Sequence, residues 1–143
     1  MRLAKTLGLL LALLAASLGS PCALAEVVPV VSAANPVKVM SKDQVLAIFL
    51  GRMVRFPDGG PALPVDQPEG SIARDAFYSQ YAGKSPAQLK AYWSKIIFTG
   101  RGQPPRAVAN DAEVKRLLSQ RPEAIGYIDR SSIDSSVKSP VAE

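Results

Sequence analysis

Histidine is absent from this 143-residue sequence, and cysteine occurs once, at Cys22. The first absence removes His-based catalytic triads, and the two together remove zinc sites built on His and Cys ligands. A lone cysteine forms no intramolecular disulfide. Cys22 also falls in a segment expected to be cleaved, so neither a disulfide framework nor thiol chemistry is open to the remainder. Long runs of like charge are missing as well: 17 Lys and Arg residues are scattered among 12 Asp and Glu. A net charge of +5 spread in this way lacks the clustered basic face of a nucleic-acid binder, and no nucleic-acid partner is expected. Nor is there an apolar run of the about 20 residues that a spanning helix needs.

The short apolar run that does occur, Leu7 to Leu18, follows Arg2 and Lys5 and precedes Ala23-Leu24-Ala25. A positive n-region, an apolar core and a small-x-small site, in that order, mark a secretory signal. Residues 1–25 are therefore expected to be cleaved, leaving Glu26 as the mature N-terminus of a periplasmic protein with no membrane insertion after cleavage. Pro21 directly before Cys22 fits a lipid-attachment box badly, so the cleaved chain is expected to carry no lipid. Residues 26–133 then read as one domain and residues 134–143 as a polar, loosely ordered tail.

Within the domain, the β-branched run from Val27 to Val37 predicts a buried strand ended by Asn35-Pro36. Ser41 and Gln44 form a capping box before Val45, Ile48 and Phe49, with Gly51 as the stop. A Pro- and Gly-rich stretch follows, in which Ala62 to Val65 is a candidate strand leading into a turn at Pro68-Glu69-Gly70. From Ser71 the spacing is helical again, with Ile72 and Ala76 in one apolar row beside Ala73, Phe77 and Tyr81, and with Gly83 closing the segment. The clearest helix begins at Ser85-Pro86, with Gln88 completing its box. Leu89, Tyr92, Trp93, Ile96 and Ile97 lie at i, i+3, i+4, i+7 and i+8, an aromatic stripe read as core. A loop from Thr99 to Pro105 separates it from a helix led by Asn110, and Glu123 to Asp129 reads as the last strand, with Gly126 marking a close approach. Strands interspersed with amphipathic helices indicate an α/β sandwich around a small sheet.

Enzymatic chemistry finds no support in these residues. Ser71 and Ser85 have no histidine base, no Ser-x-x-Lys pair is placed to line a cleft, and Asp66 and Glu69 have no second carboxylate pair to form an acid/base site. No cofactor is expected. The start of the second helix has a different use. Its unpartnered N–H groups and partial positive charge suit an anion, and equally a turn glycine followed by a plain helix cap at Gly70-Ser71.

Several pieces, taken in order, resemble the periplasmic phosphate-binding proteins of ABC transporters. Val39-Met40-Ser41 through Phe49-Leu50-Gly51 is similar to their "LS…IF.G" helix, and Asp66 to Ser71 to their Ser-Gly-Thr anion turn. Trp93 lies where a tryptophan-bearing helix follows, and Ala124-Ile125-Gly126-Tyr127 resembles their "GAIGY" strand. The match runs from about Val28 to Ile128 and covers one lobe of a family whose members have two. It implies a single lobe of a periplasmic-binding-protein-like (type 2) fold, with a small mixed sheet flanked by helices. That family closes two lobes on an oxyanion with backbone N–H groups, Ser/Thr hydroxyls and an arginine. Carried over, this implies Gly70, Ser71, Ile72 and Arg74 as oxyanion ligands, with Glu69 standing where a serine belongs and Val65 where the arginine does. Arg74 has an alternative, surface pairing with Asp75, Glu69 or Asp111. The implied function is binding of phosphate or a related oxyanion, with a transporter or a second-lobe chain as partner. The rival is a non-transport interaction or assembly module that keeps one lobe without tight ligand binding.

Overall fold

Residues 25–142 are described by the computed structural model, so the expected export signal lies outside this range but for Ala25. Strand β1 (Val27–Ser32) stops earlier than the apolar run 27–37 suggests. The Asn35 N–H bonds the Ser32 carbonyl at 2.9 Å and closes a turn at Ala33-Ala34. Asn35 is buried there, donating to the Pro122 carbonyl at 2.7 Å and accepting from the Val37 N–H at 2.8 Å.

The helix starts follow local chemistry. Helix α1 (Lys42–Phe49) carries the Ser41/Gln44 box, and α3 (Pro86–Phe98) the Ser85/Gln88 box with Pro86 at its first position. Helix α2 (Ile72–Ala82) is capped by Ser71 and ended by Gly83 in the left-handed conformation, φ +58°. Asn110 caps α4 (Asp111–Gln120). No helix among the described residues is long and apolar enough to cross a membrane.

Strands β2 (Leu63–Asp66), β3 (Arg106–Ala107), β4 (Ala124–Asp129) and β5 (Val137–Lys138) join β1 in a mixed sheet of order β3-β2-β4-β1-β5. β1 is antiparallel to β4 and β5, whereas β2 is parallel to β3 and β4. Alternation along the strands divides the core in two. Val27, Val31, Ile125 and Tyr127 meet α1, α2 and α3, while Val28, Val30, Val65, Ala124 and Ile128 meet Val114 and Leu118 of α4. The layers are thus helices, sheet, helix. Gly126 sits under α4, where an added Cβ would stand 2.5 Å from Val114 Cγ1, the close approach its position suggested.

Two parts depart from expectation. Segment 134–143, read as a loose tail, supplies the edge strand β5, and the Met40 N–H bonds the Pro140 carbonyl at 2.7 Å. Asp134 makes this order: it takes bonds from the Lys115 ammonium at 2.8 Å and the Ser136 N–H at 2.9 Å, and Val137 buries beside α4's apolar residues. Ile72, assigned to an apolar row, is 77% exposed; the α2 residues fully withdrawn from water are Phe77 and Tyr78.

Candidate functional site

Strand β2 delivers Asp66 to the end of the sheet, and the chain then turns through Pro68, Glu69 and Gly70 into α2. The Ser71 N–H closes the turn on the Pro68 carbonyl at 3.0 Å, and Gly70 takes φ +83°, a conformation that disfavours a side chain. The Ser71 hydroxyl accepts from the Arg74 N–H at 3.2 Å. This occupies one lone pair and leaves the N–H groups of Ile72 and Ala73 without helical acceptors, as at any helix start.

Arg74 does not pair with Asp75, Glu69 or Asp111. Its Nε lies 3.5 Å from Asp66 Oδ2, with the Asp66 side chain 3% and the Arg74 side chain 16% exposed, and its guanidinium sits over the Tyr78 ring, 5.6 Å from the centroid. The ion pair is not a hydrogen bond, for Arg74 Nε is buried without a hydrogen-bond partner. Asp66 is held instead by the Tyr78 hydroxyl at 2.8 Å, by the Tyr127 hydroxyl, and by the Gln67 N–H at 2.9 Å. Burial first, and then the neighbouring Asp66 charge, push both tyrosine hydroxyls far above the usual phenol range, so each stays a donor. Asp111 is engaged elsewhere, taking Gln67 Nε2 at 2.9 Å and the Asp129 N–H at 3.1 Å and so locking the start of α4 to the end of β4.

Between α2 and α3 lies a cleft of about 180 Å³, lined by Glu69, Arg74, Pro86, Lys90, Trp93, Ser94, Ile97 and Pro104. The structure brings Glu69 and Arg74 to this cleft but sets Ile72 on a separate groove beside Asp75 and Ser79. Val65 is buried against α4's residues, so a cation at that position would be enclosed by valines and leucine. Of the stripe read as core, Leu89 and Trp93 are buried, Tyr92 and Ile96 are half-buried, and Ile97 is 51% exposed, so the core reading holds for the first part of α3 and not for its end; Trp93 Nε1 is buried and unpartnered. A larger hollow of about 720 Å³ lies among Glu26, Lys42, Tyr81, Arg130 and Val141, at the two ends of the described chain. Arg74 and Trp93, the residues that carry the unpartnered buried side-chain donors among the described residues, both line the smaller cleft, although the donor atoms themselves are closed to water.

The sequence reading missed Asp66 as the hub and Tyr78 and Tyr127 as its donors. One signal was available: a lone acid ending an apolar strand, with Arg74 and Tyr78 four residues apart on the following helix. Tyr127 had none, since it meets Asp66 only through strand order.

No protein-family model matches the sequence, and no curated protein matches it. Solved structures do. An ABC-type phosphate transport receptor from Vibrio cholerae matches with TM-score 0.62 and 22% identity, over 79% of this chain and 44% of that one. A protein from Clostridium perfringens, described as a phosphate ABC transporter substrate-binding protein and holding bound phosphate, matches with TM-score 0.62 and 23% identity, over 81% and 46%. PstS from Borrelia burgdorferi matches with TM-score 0.53 and 16% identity, over 82% and 47%. At these identities the likeness establishes the fold. The chain therefore has the fold of one lobe of the phosphate-type substrate-binding proteins of ABC transporters, as the resemblance implied, and spans less than half the length of each of these relatives.

Proposed function

We propose that this chain is an exported oxyanion-binding protein, related to ABC transporter substrate-binding components, that holds phosphate or a similar anion weakly at the start of α2. The observation that carries the reading is the Gly70-Ser71 turn. It opens a helix whose first N–H groups lack acceptors, beside an arginine braced by a buried carboxylate, in a fold shared with a phosphate-bound protein. In this reading Gly70 and Ile72 contribute backbone donors, Ser71, whose N–H is taken by the Pro68 carbonyl, contributes its hydroxyl, and Arg74 contributes charge. Glu69 opposes binding by like-charge repulsion, and one lobe leaves the site open to water, where each charged contact is worth much less than in a closed cleft. The expected Kd is roughly millimolar, near −4 kcal/mol. Isothermal titration of residues 26–143 with phosphate and with sulfate tests this. Saturable heat supports it, and no heat at high anion concentration from the natural chain or from Glu69→Ser removes it.

The rival reading is a periplasmic interaction module that keeps the lobe without the ligand. It is favoured by the apolar end of α3, where Ile97 borders the cleft and Phe98 is 92% exposed. A second-lobe chain or a transporter as partner belongs to either reading. Export is part of both: intact-mass analysis of periplasmic protein should find a chain beginning at Glu26, and an uncleaved or lipid-modified chain would count against it.

A further inference from the structure

We infer that the fold seals its own processing site, so that the export signal must be cut away before β1 enters the sheet. The inference rests on the export reading and concerns the bond which that reading assigns, Ala25–Glu26. Cutting it adds water across the amide. The water oxygen joins the Ala25 carbonyl carbon, the C–N bond breaks, and the Glu26 nitrogen leaves as a new α-ammonium. A peptidase that does this must take the Ala25 methyl into a small-residue pocket, reach its carbonyl, and hold extended chain on both sides.

The folded chain withholds each of these. Ala25 is half-buried, with its side chain packed against the core that α1, α2 and α3 share. Its carbonyl, the group to be attacked, accepts from Gln80 Nε2 of α2 at 3.2 Å. The Glu26 carbonyl accepts from the Arg130 N–H at 2.8 Å, and Glu26 Oε1 lies 2.9 Å from Arg130 Nε. That ion pair is exposed and weak, so the firmer hold is the next residue. Val27 is 2% exposed and stands opposite Asp129 in the β1–β4 ladder. One residue therefore separates the bond from a buried strand, and one residue reaches at most about 3.6 Å. That is too short a tether to thread an active-site cleft.

Topology sets the order of events. β1 lies between β4 and β5, and both neighbours come from residues 124–138. Until those residues have crossed, β1 has no ladder to join and the bond stays open to the peptidase. Once they arrive, β1 closes, and cleavage then waits on local opening of the strand. A chain that folds first keeps its apolar leader.

The test uses the full 143-residue chain in mild detergent with a purified signal peptidase, the product mass being followed with time. Three samples are compared. The first is the folded natural chain, and the second is that chain unfolded in urea and diluted into the peptidase at time zero. The third is a folded variant with a Gly-Ser spacer of about six residues inserted between Glu26 and Val27. Circular dichroism confirms that the first and third are folded. The unfolded chain and the spacer variant should both be cut to a product beginning at Glu26. The folded natural chain should be cut more slowly by about thirtyfold or more, since only its opened fraction is a substrate. A folded natural chain cut as fast as the spacer variant would show that the bond is not sealed. A spacer variant as slow as the folded natural chain, with the unfolded chain cut readily, would show that β1 is not what protects it. If none of the three is cut at this bond, the export reading fails and the inference goes with it.

Discussion

The Tyr78 hydroxyl donates to Asp66 Oδ2 across 2.8 Å, joining the middle of α2 to the end of β2 with both groups withdrawn from water. Hydrogen bonds to charged groups are worth about 1.5–3 kcal/mol, and a buried carboxylate deprived of a donor bears its desolvation uncompensated. Tyr78→Phe keeps the ring and removes only the donor. Urea unfolding should show a loss of about 1.5–3 kcal/mol, and an unmoved midpoint would mean that water replaces the hydroxyl.

The same burial predicts a response to alkali. The hydroxyls of Tyr78 and Tyr127 are raised from 10.0, first by burial and then by Asp66. In the unfolded chain they ionise near 10, while in the folded chain they keep their protons. Stability is therefore fully present below pH 10 and falls above it, by about 1.4 kcal/mol per pH unit for each tyrosine. Unfolding followed from about pH 9 to 11 checks the sign; a midpoint that rises with pH contradicts it.

Gly126 leaves no room for a methyl group, with Val114 Cγ1 2.5 Å from where a Cβ would stand. Gly126→Ala should cost about 1–3 kcal/mol through overpacking. Adding Val114→Ala opens the space, so the double variant should lose less than the two single losses combined. Strict additivity in thermal unfolding would place the strain elsewhere.

Trp93→Ala removes a nearly buried indole from the α3 side of the core and should cost about 3–5 kcal/mol. Trp93→Phe should cost less. An unchanged melting temperature for the alanine variant would mean that α3 presents another face to the core.

Glu69→Ser removes the carboxylate at the cleft and should tighten phosphate binding in calorimetry, while Ser71→Ala should weaken it. Ser71 also caps α2, so its loss should lower stability by about 1 kcal/mol. Binding is compared only where circular dichroism shows the variants folded. A Glu69→Ser chain that binds no better would mean that Glu69 points its charge to solvent.

How far the sequence could be read depended on the range of the forces involved. Ser41 with Gln44, Ser85 with Gln88, and Asn110 are caps, and each was legible because its partner is a few residues away. Tyr127 meets Asp66 across 61 positions, which depends on β4 lying beside β2. Edge strands β3 and β5 were illegible for a similar reason: a pair of residues carries no period, and a neighbour decides whether it joins a sheet. Ile72 misled because its apolar row was judged by spacing alone, whereas the Asp66 bond turns the Tyr78 side of α2 inward. For the site, the turn was visible and its brace was not. Arg74 was read against acids near it on the surface, when its partner lies eight residues back at a strand end.

Both outer strands of the sheet are two residues long, and each carries a cation, Arg106 at one margin and Lys138 at the other. Unpaired strand margins are templates on which further chains polymerise, and brevity with charge is a recognised defence. Concentrated protein is thereby shielded from fibril-like stacking, and a companion chain that seeks this lobe must dock on helices or loops, because the sheet offers almost nothing to zip onto.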